Sequence, residues 1–240
     1  MKPSFVVIAT ALMCPLLAAA PRPQPTPPPA PAPEKPSFER GMMIRFHMHE
    51  NYGMLRAIER LLLRGKLDNA KFLAQGIGEA PEEPGLSAFA THEAQVRIRA
   101  QDVVRAKDLD QAIRRTALLV DACAGCHAAS GQLPELGIPS GPPPDRDSLD
   151  ARMARHRWAA DQLGAGILAS DDKAWTSGLE LLASAPPLAQ LTKEQAVFGK
   201  RLQQTAKSTL KAKSVRGEAR ADAYGNLLVI CASCHTAASP

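Results

Sequence analysis

Two pentapeptides in this chain bring the same three reactive side chains together. Cys123, Cys126 and His127 form one C-x-x-C-H group, and Cys231, Cys234 and His235 form the second. On a helix, positions i, i+3 and i+4 share a face, so two thiols and an imidazole point the same way. That is the attachment signal of a c-type haem. Two thiols at this spacing can form thioethers to one macrocycle, and the neighbouring imidazole reaches its iron. Each copy predicts one covalently held haem, two in all, with His127 and His235 as proximal iron ligands.

Three other chemistries compete for such cysteines. A thioredoxin-like redox pair expects a βαβ setting, whereas both copies sit in helix-forming sequence, and both carry the histidine. A zinc site built from two C-x-x-C pairs expects a separation of about 15–20 residues. A disulfide between adjacent helical turns has poor geometry. Two matched copies of the full pattern favour haem over all three.

The sixth iron position calls for a second donor across from each motif. In the second half the candidates are Met153 and His156, and His156 falls in the apolar face set by Leu149, Leu163 and Ile167. In the first half they are Met42, Met43, His47, Met48 and His49. The register of the cysteines aligns Met48 with His156, and a slip of one residue aligns His49 instead. Helical phase turns Met48 inward, so Met48 and His49 both stand as candidate distal ligands. His92 has no repeat counterpart and reads as a surface or core-edge side chain.

The elements that must position these groups read as helices throughout. The 240 residues are 45% hydrophobic but only 4% aromatic, and helix formers dominate. Ile44, Met48, Leu55, Ile58 and Leu62 fall on one helical face, Gly65 turns the chain, and a second helix covers about 67–77. Pro81, Pro84 and Gly85 interrupt, a third helix covers about 87–107, and a fourth carries the first motif and ends near Gly131. After a Pro/Gly-rich stretch at 133–147 the scheme repeats. Leu149 to Ile167 form a first face, residues 169–175 turn, and a second helix stops at Pro186 and Pro187. A third runs from Thr192 to about Lys213 with a capped start, and the last carries the second motif. The expected fold is all-α: two tandem up-down-up-down four-helix bundles, residues 37–132 and 148–240, joined by a linker at 133–147.

The N-terminus has a different character. Residues 1–20 have one Lys, an apolar run and small residues, the layout of a secretory signal peptide. Cys14 lies in that run. Residues 21–36 are a Pro/Ala tract, which makes an extended spacer. This predicts an exported, periplasmic location, with membrane tethering if the first segment is retained. The formal charge of +5, from 29 basic and 24 acidic residues, is mild and interspersed. It excludes the basic stripe of a nucleic-acid binder and leaves a homodimer open.

Each half also resembles the class II cytochromes c, the cytochrome c-prime-like four-helix bundles. The stretches "ALLVDACAGCH" and "AYGNLLVICASCH" carry the likeness, with "MHENYGMLRAIERLLLRGKL" and "MARHRWAADQLGAGILASDD" for the first helices. It covers residues 38–130 and 147–239. The resemblance implies a haem lodged between helices with its sixth position facing the first helix, either vacant or filled by a side chain from it. The expected function is a dihaem electron carrier serving redox partner proteins, not an enzyme. A gas-binding haem protein with an open distal site is the alternative, and a dihaem peroxidase a more distant one.

Overall fold

The structure is a computed structural model, and it describes residues 38–132, 134–185, 191–212 and 216–237. The signal-peptide and spacer readings at 1–36, Cys14 among them, and the stop at Pro186 and Pro187 lie outside the described residues. Those residues contain eight α-helices, one 3-10 helix and no strand.

In the first half, α1 spans Phe38–Leu63, α2 Leu67–Gly78, α3 Ala90–Val104 and α4 Leu109–Ser130. In the second, α5 spans Leu149–Leu168, α6 Asp172–Ser184, α7 Lys193–Lys211 and α8 Glu218–Thr236. Local chemistry sets most of the ends. Asp108 caps α4 by accepting from the Gln111 amide at 2.7 Å, and Ser148 caps α5 through Ala151. Thr192 and Gln195 form a reciprocal capping box at α7. Gly131 ends α4 in the left-handed region, φ +66, where glycine has no Cβ penalty.

Two elements differ from the expectation. The turn read at 169–175 is shorter, because Asp171 accepts from the Lys173 and Ala174 amides and starts α6 at Asp172. The third helix is split. Pro84 opens a 3-10 helix over Pro84–Phe89, capped by the Glu83 side chain, and α3 proper begins at Ala90.

Each helix packs on the next within α1–α4 and within α5–α8, and α1 closes on α4 as α5 does on α8. The halves are also joined: α4 lies along α8 and touches α5, and α1 touches α8. One hydrophobic core runs through both, from Leu55 and Ile58 to Leu227 and Ile230. Small residues allow the closest approaches. A Cβ at Gly178 would stand 2.7 Å from the Ala159 carbonyl, and one at Gly166 2.7 Å from Trp175 Cβ, so α5 and α6 meet backbone to backbone.

The described part of the expected linker, 134–147, does more than separate the halves. Leu136 and Ile138 pack against the core. The Pro139 carbonyl accepts from Trp158 Nε1 at 2.9 Å and from Gln162 at 3.3 Å, and the Pro143 carbonyl accepts from Arg155 at 2.8 Å. The segment is therefore a strap fastened along α5.

Candidate functional site

The crossing of α4 and α8 fixes where the two motifs lie. A Cβ at Gly225 would sit 3.2 Å from Arg114 Cα and 3.4 Å from Ala117 Cβ. Arg114 also donates to the Asn226 side chain. Further along α4, Asp121 feels the charges of Glu218 and Asp222 at the start of α8. The two helices are thus antiparallel. Ala117 and Gly225 hold the same relation in the repeat as Cys123 and Cys231, so the crossing is quasi-symmetric. Each motif begins six residues past it, in opposite directions. At 1.5 Å per residue, Cys123 and Cys231 are separated by about 18 Å along the axes, and His127 and His235 by about 30 Å.

All four cysteines are half-buried free thiols. Burial raises each thiol pKa, with Cys123 and Cys231 pushed up to about 12 and Cys126 and Cys234 raised. Glu93 adds to the shift at Cys126. A disulfide exchanger lowers its attacking thiol instead. Among the described residues, no group of three or more His, Cys, Asp or Glu side chains could hold a metal ion by itself.

At the second motif, α5 brings an imidazole to the site. His156 is half-buried and lies within electrostatic reach of His235. Burial, then the charges of His235, Arg152 and Arg155, hold His156 below the ordinary imidazole range. His235, exposed on the last turn of α8, is lowered by what burial it has and by Arg64 and Arg157. Both shifts favour the neutral ring, the form with a lone pair to offer a metal. One turn before His156, Arg152 has a buried Nε with no hydrogen-bond partner among the described residues, although Asp145 Oδ1 stands 3.4 Å away as an ion pair. Paired thiols, two imidazoles within electrostatic reach of each other and a guanidinium Nε without a hydrogen bond fit a haem, whose propionates are anionic acceptors.

The first motif is oriented differently. His127 Nδ1 lies 3.1 Å from the Gln132 carbonyl, which can only accept. The Nδ1 proton is then held by the carbonyl, which leaves Nε2 as the nitrogen with a lone pair in the neutral ring. His92, on α3, lies against the motif: a Cβ at Gly125 would be 3.7 Å from its Nδ1. On α1, Met48 and His47 are half-buried and His49 is exposed. Asn51 Nδ2 and His47 Nε2 are 2.9 Å apart, so the amide occupies that ring nitrogen. Met42 and Met43 are exposed and Met153 is half-buried.

Gln132, Arg152 and the placement of His92 were not read from the sequence. Backbone acceptors leave no residue signature, and Arg152 stands out only through its unsatisfied nitrogen. No described helix is long and apolar enough to cross a membrane. No family model, curated protein or solved structure matches the chain.

Proposed function

We propose that the chain is an exported dihaem c-type cytochrome that carries single electrons between redox partner proteins. The observation that carries this reading is the repeated C-x-x-C-H group on the last turns of α4 and α8, with His156 within reach of His235. Cys123 and Cys126 would hold one haem through thioethers, and Cys231 and Cys234 a second. When bound, haem iron supplies one-electron exchange at a potential set by its axial ligands, burial and hydrogen bonds.

The protein's own part is positioning. His127 presents Nε2 because the Gln132 carbonyl holds its other nitrogen. His235 on α8 and His156 on α5, within electrostatic reach of each other, would hold the iron as proximal and distal ligands. Arg152, whose buried Nε makes no hydrogen bond among the described residues and is ion-paired with Asp145 at 3.4 Å, would set a positive charge beside a carboxylate at the edge of that site. Met48 and His49 are the distal candidates at the first. We read the chain as two four-helix units, 37–132 and 148–240, that share one core across α4 and α8, with residues 1–20 and 21–36 as export signal and spacer.

Intact mass and optical and EPR spectra of the protein from a host that attaches haem c test the reading. Two covalent haems are expected, with one lost in a Cys231→Ala/Cys234→Ala variant. A bare polypeptide mass from that host would overturn it.

A second reading has support at the first motif alone. His49 is exposed and His47 is engaged by Asn51, while Met48, half-buried like His47, is not among the side chains packed on the core. A sixth position left open there would take a small gas. Carbon monoxide binding to one of the two reduced haems at neutral pH would favour it.

A further inference from the structure

The two motifs lie in opposite electrostatic surroundings. At the α8 end, the turn between α1 and α2 is seated on the second motif. Gly65 has φ +70, and a Cβ there would stand 3.1 Å from Thr236 Cγ2, the residue after His235. That seat brings exposed Arg64 beside His235, with exposed Lys66 next along the turn. From α5 comes Arg157, also exposed and adjacent in sequence to His156. Neither Arg64 nor Arg157 pairs with a described carboxylate. Behind them Arg152 and Arg155 share one carboxylate, Asp145, at 3.4 and 3.9 Å.

At the α4 end the balance is reversed. Glu82 and Glu93 flank one Arg97, at 3.0 and 3.3 Å, and Glu83 donates its amide to Glu93. Asp121, two residues before Cys123, has Glu218 and Asp222 as neighbours, with Arg99 as the nearby cation. The basic end depends on both halves of the chain, because Arg64 comes from the first and Arg157 from the second. Neither half alone builds it.

We infer that the α8 end is the docking face for an acidic redox protein, with Arg64 and Arg157 as its contact charges beside the second motif. The inference rests on the proposed electron-carrier function. In the docked pair, a haem held at the second motif would exchange one electron with the partner's redox centre. One is oxidised and the other reduced, with no proton or further reactant. Only three of these cations, Arg64, Lys66 and Arg157, are exposed, fewer than the four to eight basic residues typical of a lipid-binding cluster, so a protein partner fits better.

Two probes test this. Hexacyanochromate(III) is a redox-inert paramagnetic anion, and it should broaden the amide signals of Arg64, Gly65, Arg157 and Thr236 before any others. Glu93 and Cys126 should be unaffected, and the Arg64→Glu/Arg157→Glu variant should lose the effect. Even broadening over the surface, or broadening unchanged in the variant, would overturn the inference. Hexacyanoferrate(III), which accepts one electron, should oxidise the reduced protein more slowly as salt rises. At low salt the variant should react on the order of tenfold more slowly. An unchanged rate and salt slope would also overturn it. Arg64→Gln/Arg157→Gln, milder at two exposed sites, should give intermediate values. Binding to phosphatidylglycerol vesicles through the same arginines would overturn the assignment to a protein. A chain without covalent haem would fail the proposed function by its mass and absorbance, while the inert probe would still map the anion site.

Discussion

The Tyr224 hydroxyl donates to Glu59 Oε1 at 2.9 Å, joining the last helix of the chain to the first. Tyr224 is 1% exposed and Glu59 4%. Arg56 completes the group, pairing with Glu59 and reaching Asp161 on α5. Gly164 makes the room, since a Cβ there would stand 3.4 Å from the Tyr224 hydroxyl. This buried polar knot ties α1, α5 and α8 together. Removing Arg56 would strand the Glu59 carboxylate in the interior. Arg56→Met should therefore destabilise by about 2–4 kcal/mol, more than the about 1–2 kcal/mol expected for Tyr224→Phe. Urea unfolding of both variants and the double mutant checks this. Simple additivity would deny the coupling that the shared Glu59 requires.

The same tyrosine gives a signed pH dependence. Burial, then the Glu59 charge, raises the Tyr224 pKa well above 10. A group whose folded pKa is raised contributes stability that is complete below its unfolded pKa. That stability is lost as pH rises through the folded value. Stability should thus be steady through neutral pH and fall above about pH 10. Tyr52 is also raised, by burial first, and adds a share in the same direction. Tyr224→Phe should flatten the alkaline fall in denaturation midpoints recorded from pH 8 to 11. An equal fall in the variant would assign it elsewhere.

Gly225 should resist substitution for a reason unrelated to helix propensity. In an isolated helix Gly→Ala gains about 1 kcal/mol. Here the added carbon would meet Arg114 Cα and Ala117 Cβ at 3.2 and 3.4 Å. A larger side chain must push α4 from α8. Gly225→Leu should cost about 1–3 kcal/mol in thermal unfolding while leaving the cysteine motifs intact. A variant as stable as the parent would mean that the helices can separate without loss.

The strap offers a local test. Trp158 and Gln162 both donate to the Pro139 carbonyl, so one acceptor holds two side chains of α5. Trp158→Phe keeps most of the packing and removes the indole donor, for a cost of about 1 kcal/mol. Protease cleavage within 133–147 should become faster in the variant. Equal cleavage rates would show that Leu136 and Ile138 hold the strap without it.

What the sequence revealed was local. The C-x-x-C-H groups, the Thr192 capping box and the stop at Gly131 each depend on residues within a few positions of one another. The α6 start at Asp172 turns on Asp171 engaging as the cap, and the α3 start at Ala90 on the 3-10 turn that Pro84 opens ahead of it. The relations between distant segments were not legible. Nothing near Arg64 announces that the α1–α2 turn meets Thr236. Glu59 reads as an ordinary helix-surface charge until Tyr224 lies against it. His156 is intermediate, since its apolar face marked it as a candidate across from the second motif while residue spacing left Met153 beside it as an alternative.

His156 carries the last prediction. It is the imidazole that α5 brings toward His235, whereas the corresponding part of α1 has Met48 half-buried and His49 exposed. If the proposed haems are present, the second site has two histidines and the first has a different set. Met/His ligation raises a haem potential. The two potentials should therefore be resolved in spectroelectrochemistry, with the lower one belonging to the second motif. His156→Met should raise that potential and leave the other in place, and His156→Ala should open the site to carbon monoxide. A single two-electron wave in the parent, unmoved by His156→Met, would remove His156 from the ligand set.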